Sequence, residues 1–413
     1  MRIRVVDYVG SLGGGVRFCA EVVRALTDSH PEEEFELVSY GTCLERYRDV
    51  LRQKGLTLRL AEVRPRNAVL NFRNHHILGG QAGRLAQKLL TPLTKWHYDI
   101  PAEVFADCDR VWMPWIHWHR ADAGCMDRVV GSFHDTIVFD VSGIVPLRVA
   151  NAERVNIARW LASDACVVVS SRSTATRLGG LFHTPASRLS IVRMSAAHAS
   201  GSSRRQVEPS WSWISSPFLL NAANTNKHKN HEVLFEGVAK WGTRYPLVLT
   251  GEGSDLAIGR RGLYLRQRAS RLGLVAGRSL HPLGYVPDDV YHVLLKRAWA
   301  LVVASKAEGG GSFPAWEALE GGVPVICAET SAVREHLEWL GAEVLWFHPD
   351  RPEELADRLA ELEQDYDRFK ARAVTQRASL RQRSWKDVAN DYWGLLTSGN
   401  DTNPHQSSSD MSP

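Results

Sequence analysis

The sequence predicts an α/β protein made of two parallel-sheet domains, and three observations carry that prediction. Short apolar runs alternate with segments of helical period along almost the whole chain, which is the pattern of strand–helix units. The alternation breaks once, over "AAHASGSSRRQVEPSWSWISSP", and then restarts. The length of 413 residues exceeds what one ordinary core organises.

In chain order, the first half offers strands at Ile3 to Val9, Phe35 to Tyr40, Thr57 to Glu62, Arg110 to Met113, Val129 to Phe133 and Ala165 to Ser170. Helices are expected between them, among others at Arg17 to Asp28 and Ala150 to Ser163. After the break, "FLLNAA", "PLVLTG", "SLHPLG", "WALVVAS", Val323 to Cys327 and "AEVLWF" read as strands. "HEVLFEGVAKWG", Tyr264 to Leu272 and "PDDVYHVLLKRA" read as helices, and "RPEELADRLAELEQDYDRFKARAVTQRASL" as one long helix. Ser384 is placed to cap a last helix, "WKDVANDYWGLL". The expected division is residues 1–197 as the first domain, 198–216 as linker and 217–383 as the second domain. Residues 384–397 form a helix returning to the first domain, and 398–413 a polar tail without periodicity.

Composition narrows the function. A net charge of +4 is too small for this length to indicate a nucleic-acid partner. Six scattered cysteines with no CxxC pair read as reduced, mostly buried thiols. "MRIRVVDYVG" opens directly into a strand, and no apolar run is long enough to cross a bilayer. The expected location is the cytoplasm, at most peripheral to the inner face of a membrane.

The densest chemistry lies in "SKAEGGGSFPAWEALEGGVPVI". Gly309, Gly310 and Gly311 fall between a strand and a helix, where backbone N–H groups approach an anion and the helix dipole favours it. Pro314 suits the first helical turn. A tight turn alone would also use glycines. The flanking acids tip the balance, because a carboxylate beside a phosphate must grip something else, and sugar hydroxyls are the obvious donors. Glu308 therefore reads as a ligand for a hexose hydroxyl and Glu317 as a ligand for a ribose, which together indicate a nucleotide sugar.

This stretch resembles the signature of family-4 retaining glycosyltransferases of the GT-B fold (the group 1 type), through Glu308, Gly309, Pro314, Glu317, Ala318, Gly322, Pro324 and Val325. Its two acids stand nine positions apart, one more than the family's usual spacing. "NAANTNKHKNHEVLFEGVAKW" resembles the family's first loop of the second domain, and there the resemblance gives Lys229 the donor pyrophosphate. Ala223 stands where the family often has an arginine, leaving Lys227 or His228 to supply the missing charge. "LGYVPDD" implies a base contact near Gly284, Tyr285 and Val286. In the first domain, Gly13, Gly14 and Gly15 match the family's glycine turn facing donor phosphate and acceptor, and His134 in "VVGSFHDTIVFD" matches its sugar-contacting histidine. Neither a GxGxxG nor a GK[ST] is present, so dinucleotide and Walker-type sites are not indicated.

The implied architecture is GT-B, two Rossmann-like domains facing an interdomain cleft. The implied activity is retaining transfer of a hexosyl unit from a UDP-, GDP- or dTDP-linked donor to a hydroxyl acceptor. The acceptor is a secondary metabolite, a polysaccharide or a lipid-linked glycan. His134, Lys229 and Glu308 are the catalytic candidates; Gly13 to Gly15, Lys227, Gly309 to Gly311, Ser312 and Glu317 bind the donor; Tyr285 and Val286 face the base. No cofactor or metal is expected. The alternatives are a non-catalytic nucleotide-sugar-binding protein, or an epimerase or hydrolase on the same fold.

Three further features have bland readings. Asp107 and Asp109 in "DCD" precede their strand, whereas a metal-binding pair should follow one. His117 and His119 in "WIHWH" lack further ligands, which favours packing or an aromatic acceptor wall. "RLAQKLLTPLTKW" has a basic amphipathic pattern compatible with peripheral membrane contact, but Pro92 interrupts it and a core helix is the commoner outcome.

Overall fold

A computed structural model describes residues 1–10, 14–53, 55–65, 96–121, 124–195, 211, 214, 216–257 and 259–398. Gly13, most of the expected linker, the amphipathic segment up to residue 95 and nearly all of the tail lie outside the described residues. Every strand pairs in parallel. Strands β1 (Arg2–Val6), β2 (Glu34–Ser39), β3 (Arg59–Glu62), β4 (Arg110–Met113), β5 (Val129–Phe133), β6 (Cys166–Val169) and β7 (Leu189–Ile191) form one sheet, in the order β3-β2-β1-β4-β5-β6-β7. Strands β8 (Leu219–Ala222), β9 (Leu247–Thr250), β10 (Leu280–Pro282), β11 (Ala300–Val303), β12 (Val325–Ala328) and β13 (Leu345–Phe347) form the other, in the order β10-β9-β8-β11-β12-β13.

The chain divides into two compact units. One comprises Met1–Asp135, Val145–Met194 and Ser384–Pro413; the other comprises Thr136–Ile144 and Ser195–Arg383. In the second unit the strands read as continuous apolar runs because both faces are covered. Leu219, Leu247, Leu249, Ala300 and Val302 join one core with helices His231–Lys240 and Pro352–Gln364. Leu220, Val248, Leu301 and Val303 join the opposite core with helices Asp288–Arg297, Phe313–Glu320 and Ser331–Leu340. Gly237 lets Leu355 sit close: a Cβ there would meet Leu355 Cδ2 at 2.6 Å.

The expected long helix over 351–380 is two helices, Pro352–Gln364 and Tyr366–Gln376, parted by Asp365 at φ −137° and ψ 46°. The break lets Tyr366 stack on Trp299 at 5.1 Å while Phe369 enters the core. In the first unit, helix Trp385–Thr397 packs on helix Gly14–Ser29. Tyr392 lies 5.0 Å from Trp112, and its hydroxyl is 2.8 Å from Ser132 Oγ. The last helix starts with a capping box between Ser384 and Asp387. Just before it, Ser195 Oγ donates to the Arg383 carbonyl at 2.6 Å, joining two points where the chain passes between units. No described helix is long and apolar enough to cross a membrane.

Candidate active site

In a doubly wound sheet the strand order reverses at one point, and loops leaving the strands there diverge to open a binding crevice. In the second unit that point lies between β8 and β11. The loop after β8 ends in a single tight turn, Lys227–Lys229, before Asn230 at φ +57° and helix His231–Lys240. Asn230 anchors the corner by donating from Nδ2 to the Pro349 carbonyl at 2.6 Å. The loop after β11 meets it: Lys306 N–H donates to the His228 carbonyl at 2.7 Å. Lys229 Nζ then reaches Glu308 Oε1 at 2.5 Å, with both side chains mostly buried. One base and one acid separated by 79 positions in sequence are thus in direct contact.

The glycine turn follows. Gly311 adopts φ +103°, and a Cβ there would lie 2.6 Å from His336 Cγ, so this position requires glycine. Gly309 and Gly310 are buried beside it. Ser312 caps helix Phe313–Glu320, its Oγ accepting from the Ala315 N–H at 3.4 Å, with Pro314 in the first turn. Glu317, one turn on and buried, accepts from the Tyr291 hydroxyl at 2.6 Å. Tyr291 has no signal of its own in the sequence, because it comes from another helix and only packing brings it to Glu317.

Charge around the loop is narrower than the sequence indicates. Burial, reinforced by the Lys229 charge and opposed by Glu308, pushes His228 down to about 4. His228 is therefore neutral near pH 7 and cannot replace the missing arginine charge; only Lys227 and Lys229 carry charge in that turn. Arg261 is close by but committed, with Nε on the Thr225 carbonyl at 3.1 Å and both Nη atoms on Glu232 at 2.6 and 2.8 Å. Lys227 is exposed, and a Cβ built at Gly143 would meet its Nζ at 2.6 Å. Tyr285 is also exposed, whereas the Val286 side chain belongs to the core, so a base could meet Val286 only through its backbone.

In the first unit the order reverses between β1 and β4. Asp7, at the exit of β1, accepts from the Val9 and Gly10 N–H groups at 2.7 and 3.1 Å and from Tyr47 Oη at 2.6 Å. Gly14 and Gly15 open helix Gly14–Ser29. His134 lies at the exit of β5 with both ring nitrogens engaged: Nε2 donates to the Pro114 carbonyl at 2.7 Å, and Nδ1 accepts from Ser170 Oγ at 2.6 Å. Burial pushes it down to about 4, so the ring is neutral. It would reach a sugar hydroxyl only by giving up one of these partners. The "WIHWH" histidines do not converge. His119 Nε2 accepts from the Tyr8 N–H at 3.0 Å, while His117 faces Glu153 at 2.7 Å. Asp109 and Asp107 bind Arg2 at the entry of β4, the opposite end of the sheet. Among the described residues no group of three or more His, Cys, Asp or Glu is arranged to hold a metal ion.

Residues 212–381 match the family described as "Glycosyl transferases group 1". No curated protein matches the chain. Among solved structures, Anabaena Alr3699/HepE in complex with UDP and glucose is similar at 16% identity, covering 96% of this chain and 98% of its own, with a TM-score of 0.65. WaaG, a glycosyltransferase involved in lipopolysaccharide biosynthesis, is similar at 14% identity, covering 96% and 100%, with a TM-score of 0.63. A putative UDP-N-acetylglucosamine 2-epimerase from Listeria monocytogenes shares the fold at 13% identity, covering 96% and 95%, with a TM-score of 0.55. With its two parallel sheets arranged as in these structures, the chain has the GT-B fold, and its residues 212–381, which span the second sheet, carry the match to the group 1 glycosyl transferases.

Proposed function

We propose that the protein is a retaining glycosyltransferase that moves a hexosyl unit from a nucleotide sugar to a hydroxyl acceptor. The observation that carries this reading is the Lys229–Glu308 contact at the reversal point of the second sheet, one loop away from a capped helix bearing Glu317. A diphosphate beside Lys229 would compete with Glu308 for the ammonium. Glu308, released, would then accept from a hydroxyl of the attached sugar. Glu317, which accepts from the Tyr291 hydroxyl, would accept from a ribose hydroxyl.

Transfer breaks the bond between the anomeric carbon and the diphosphate oxygen, and negative charge develops on that oxygen. Preorganised positive groups that meet it there lower the barrier. Lys229, Lys227 and the N-terminus of helix Phe313–Glu320 supply this charge without calling on a metal ion. The resemblance to the retaining family implies that the acceptor attacks on the face the diphosphate leaves, and that the departing phosphate takes its proton. His134, neutral and fixed, contributes position rather than charge. HepE was solved with UDP and glucose, which makes a UDP-linked hexose the first donor to test.

Incubation with UDP-, GDP- and dTDP-hexoses and a panel of sugar and lipid-linked alcohols tests the reading by NMR of the product anomer. Product with the donor's anomeric configuration supports it. Inverted product refutes retention. Binding of every donor without turnover identifies a binding protein, and conversion of the sugar while still attached to the nucleotide identifies an epimerase.

A further inference from the structure

Glu153 lies in helix Leu147–Ala162 with its side chain fully buried, where an unpaired charge would be severely unfavourable. Its Oε1 accepts from His117 Nδ1 at 2.7 Å and from the Trp118 N–H at 3.4 Å; its Oε2 accepts from His97 Nε2 at 2.6 Å. Burial acts to raise its proton affinity, but the hydrogen bonds from His117 and His97 outweigh it and bring the carboxyl down to about 2. The other nitrogen of His117, Nε2, faces the Asp135 carbonyl at 2.9 Å. A ring with an acceptor at each nitrogen carries a hydrogen on both, so His117 is an imidazolium. Burial opposes this state, and the hydrogen bond and charge of Glu153, together with Asp135, overcome it. The groups facing His117 are Glu153 on the helix, Asp135 and His134 at the exit of β5, and His97 across Glu153.

The residue held in this way is where the first unit ends. The chain enters the second unit at Thr136 and leaves it after Ile144. Within that excursion Gly143, at φ +72°, lies against Lys227 Nζ. A buried cation thus grips the backbone between His134 and a segment that touches a donor-site lysine. We propose that Glu153 and His117 are positioning residues for glycosyl transfer, clamping the Asp135 carbonyl so that His134 and the 136–144 excursion keep the geometry that transfer requires. This rests on the transfer reading above.

Glu153→Gln keeps the size and removes the charge. A neutral His117 has one N–H, so it either loses the Asp135 contact or keeps it as a weaker, uncharged donor whose Nδ1 accepts from the Gln side chain now at position 153. Ring 15N spectra of the full chain, assigned by loss of the signal in His117→Gln, should show both His117 nitrogens protonated at neutral pH in the wild type and a neutral ring in E153Q. The Asp135 carbonyl 13C shift should move with it. In E153Q kcat should fall about tenfold or more, while donor KM and nucleoside diphosphate affinity stay within about twofold. The alkaline limb of the pH profile should move to lower pH. Glu153→Asp, which keeps the charge, should restore the imidazolium and part of kcat. An imidazolium that persists in E153Q overturns the proposal. So does unchanged kcat with a neutral ring, or a joint loss of kcat and nucleotide affinity, which marks general damage. If the wild type transfers no sugar, the transfer reading falls by itself, and the clamp is judged on the ring and carbonyl spectra.

Discussion

At the exits of β8 and β11 the polar groups come from two neighbouring loops and stay partly accessible, with Lys229 and Glu308 paired at the rim. At the exits of β1, β4 and β5 they are buried and drawn from across the unit: Asp7 with Tyr47, His119 with the Tyr8 backbone, Glu153 with His97 and His117. The first arrangement is poised to exchange a protein partner for a ligand. The second has spent its hydrogen bonds on shape. In the proposed reading, the same sheet topology supports two different tasks, charge delivery in one unit and rigid placement in the other.

The largest test of this contrast is Lys229→Met. Losing one well-placed electrostatic stabiliser costs roughly two to three orders of magnitude in turnover. Turnover within a few-fold of wild type, measured at saturating donor, would move the role to Lys227. Next in size is the separation of the two acids. Glu317→Ala removes the ribose grip and should weaken nucleoside diphosphate affinity by about tenfold or more. Glu308→Ala frees Lys229, so it should leave that affinity unchanged or slightly tighter while sugar transfer collapses. Calorimetry with the nucleoside diphosphate alone decides, and the reverse pattern would exchange the two assignments.

Gly311→Ala comes third. It forces an alanine to φ +103° against the His336 ring, a strain of about 1–3 kcal/mol. The expected result is lower stability of the second unit together with weaker donor binding, and removing the ring with His336→Ala should relieve only the steric part. Full donor affinity in Gly311→Ala would show that the turn does not shape the site.

The smallest effect is the most diagnostic for pH. His231 is fully buried, neither ring nitrogen has a hydrogen-bond partner among the described residues, and burial pushes it down to about 4. Its folded proton affinity is below the unfolded one, so its contribution to stability is complete above about pH 6.5 and is lost as pH falls toward 4. That is on the order of 3 kcal/mol at most. His117 behaves oppositely: raised by its partners, it stabilises below its unfolded value and loses that contribution as pH rises through the folded one. His231→Leu should flatten the acid dependence of amide exchange in helix His231–Lys240 and change stability at neutral pH by less than about 1 kcal/mol. An unaltered acid slope would place the titration elsewhere, with His228 the next group to test.

Much of this was open to reading before any coordinates. Strands β8, β9, β11 and β12 are buried on both faces, so each appears as a short apolar run. Ser384 announces its helix through a local hydrogen bond to the Asp387 N–H. The glycine turn and its two acids lie within one loop and one helical turn, and the motif is complete in sequence. Local chemistry is legible because its partners are near in the chain. Strand β7 and helix Ser331–Leu340 were missed. Strand β7 is only three residues long, and no cap hydrogen bond marks the start of the helix.

The break at Asp365, by contrast, cannot be read from "EQDYDRF", which has helical period on both sides; it accompanies the contact of Tyr366 with Trp299, 67 positions away. Likewise "WIHWH" shows two histidines at alternate positions and nothing of Glu153 or the Tyr8 N–H, which give them different hydrogen-bond partners. Pattern and propensity determined the strands, the helix starts and the motif that carries the chemistry, because these depend on neighbours within a few residues. Tertiary structure alone decided which charges survive burial, since the raised proton affinity of His117, the lowered one of His134 and the Lys229–Glu308 pair depend on groups that the chain brings together only when both sheets are formed.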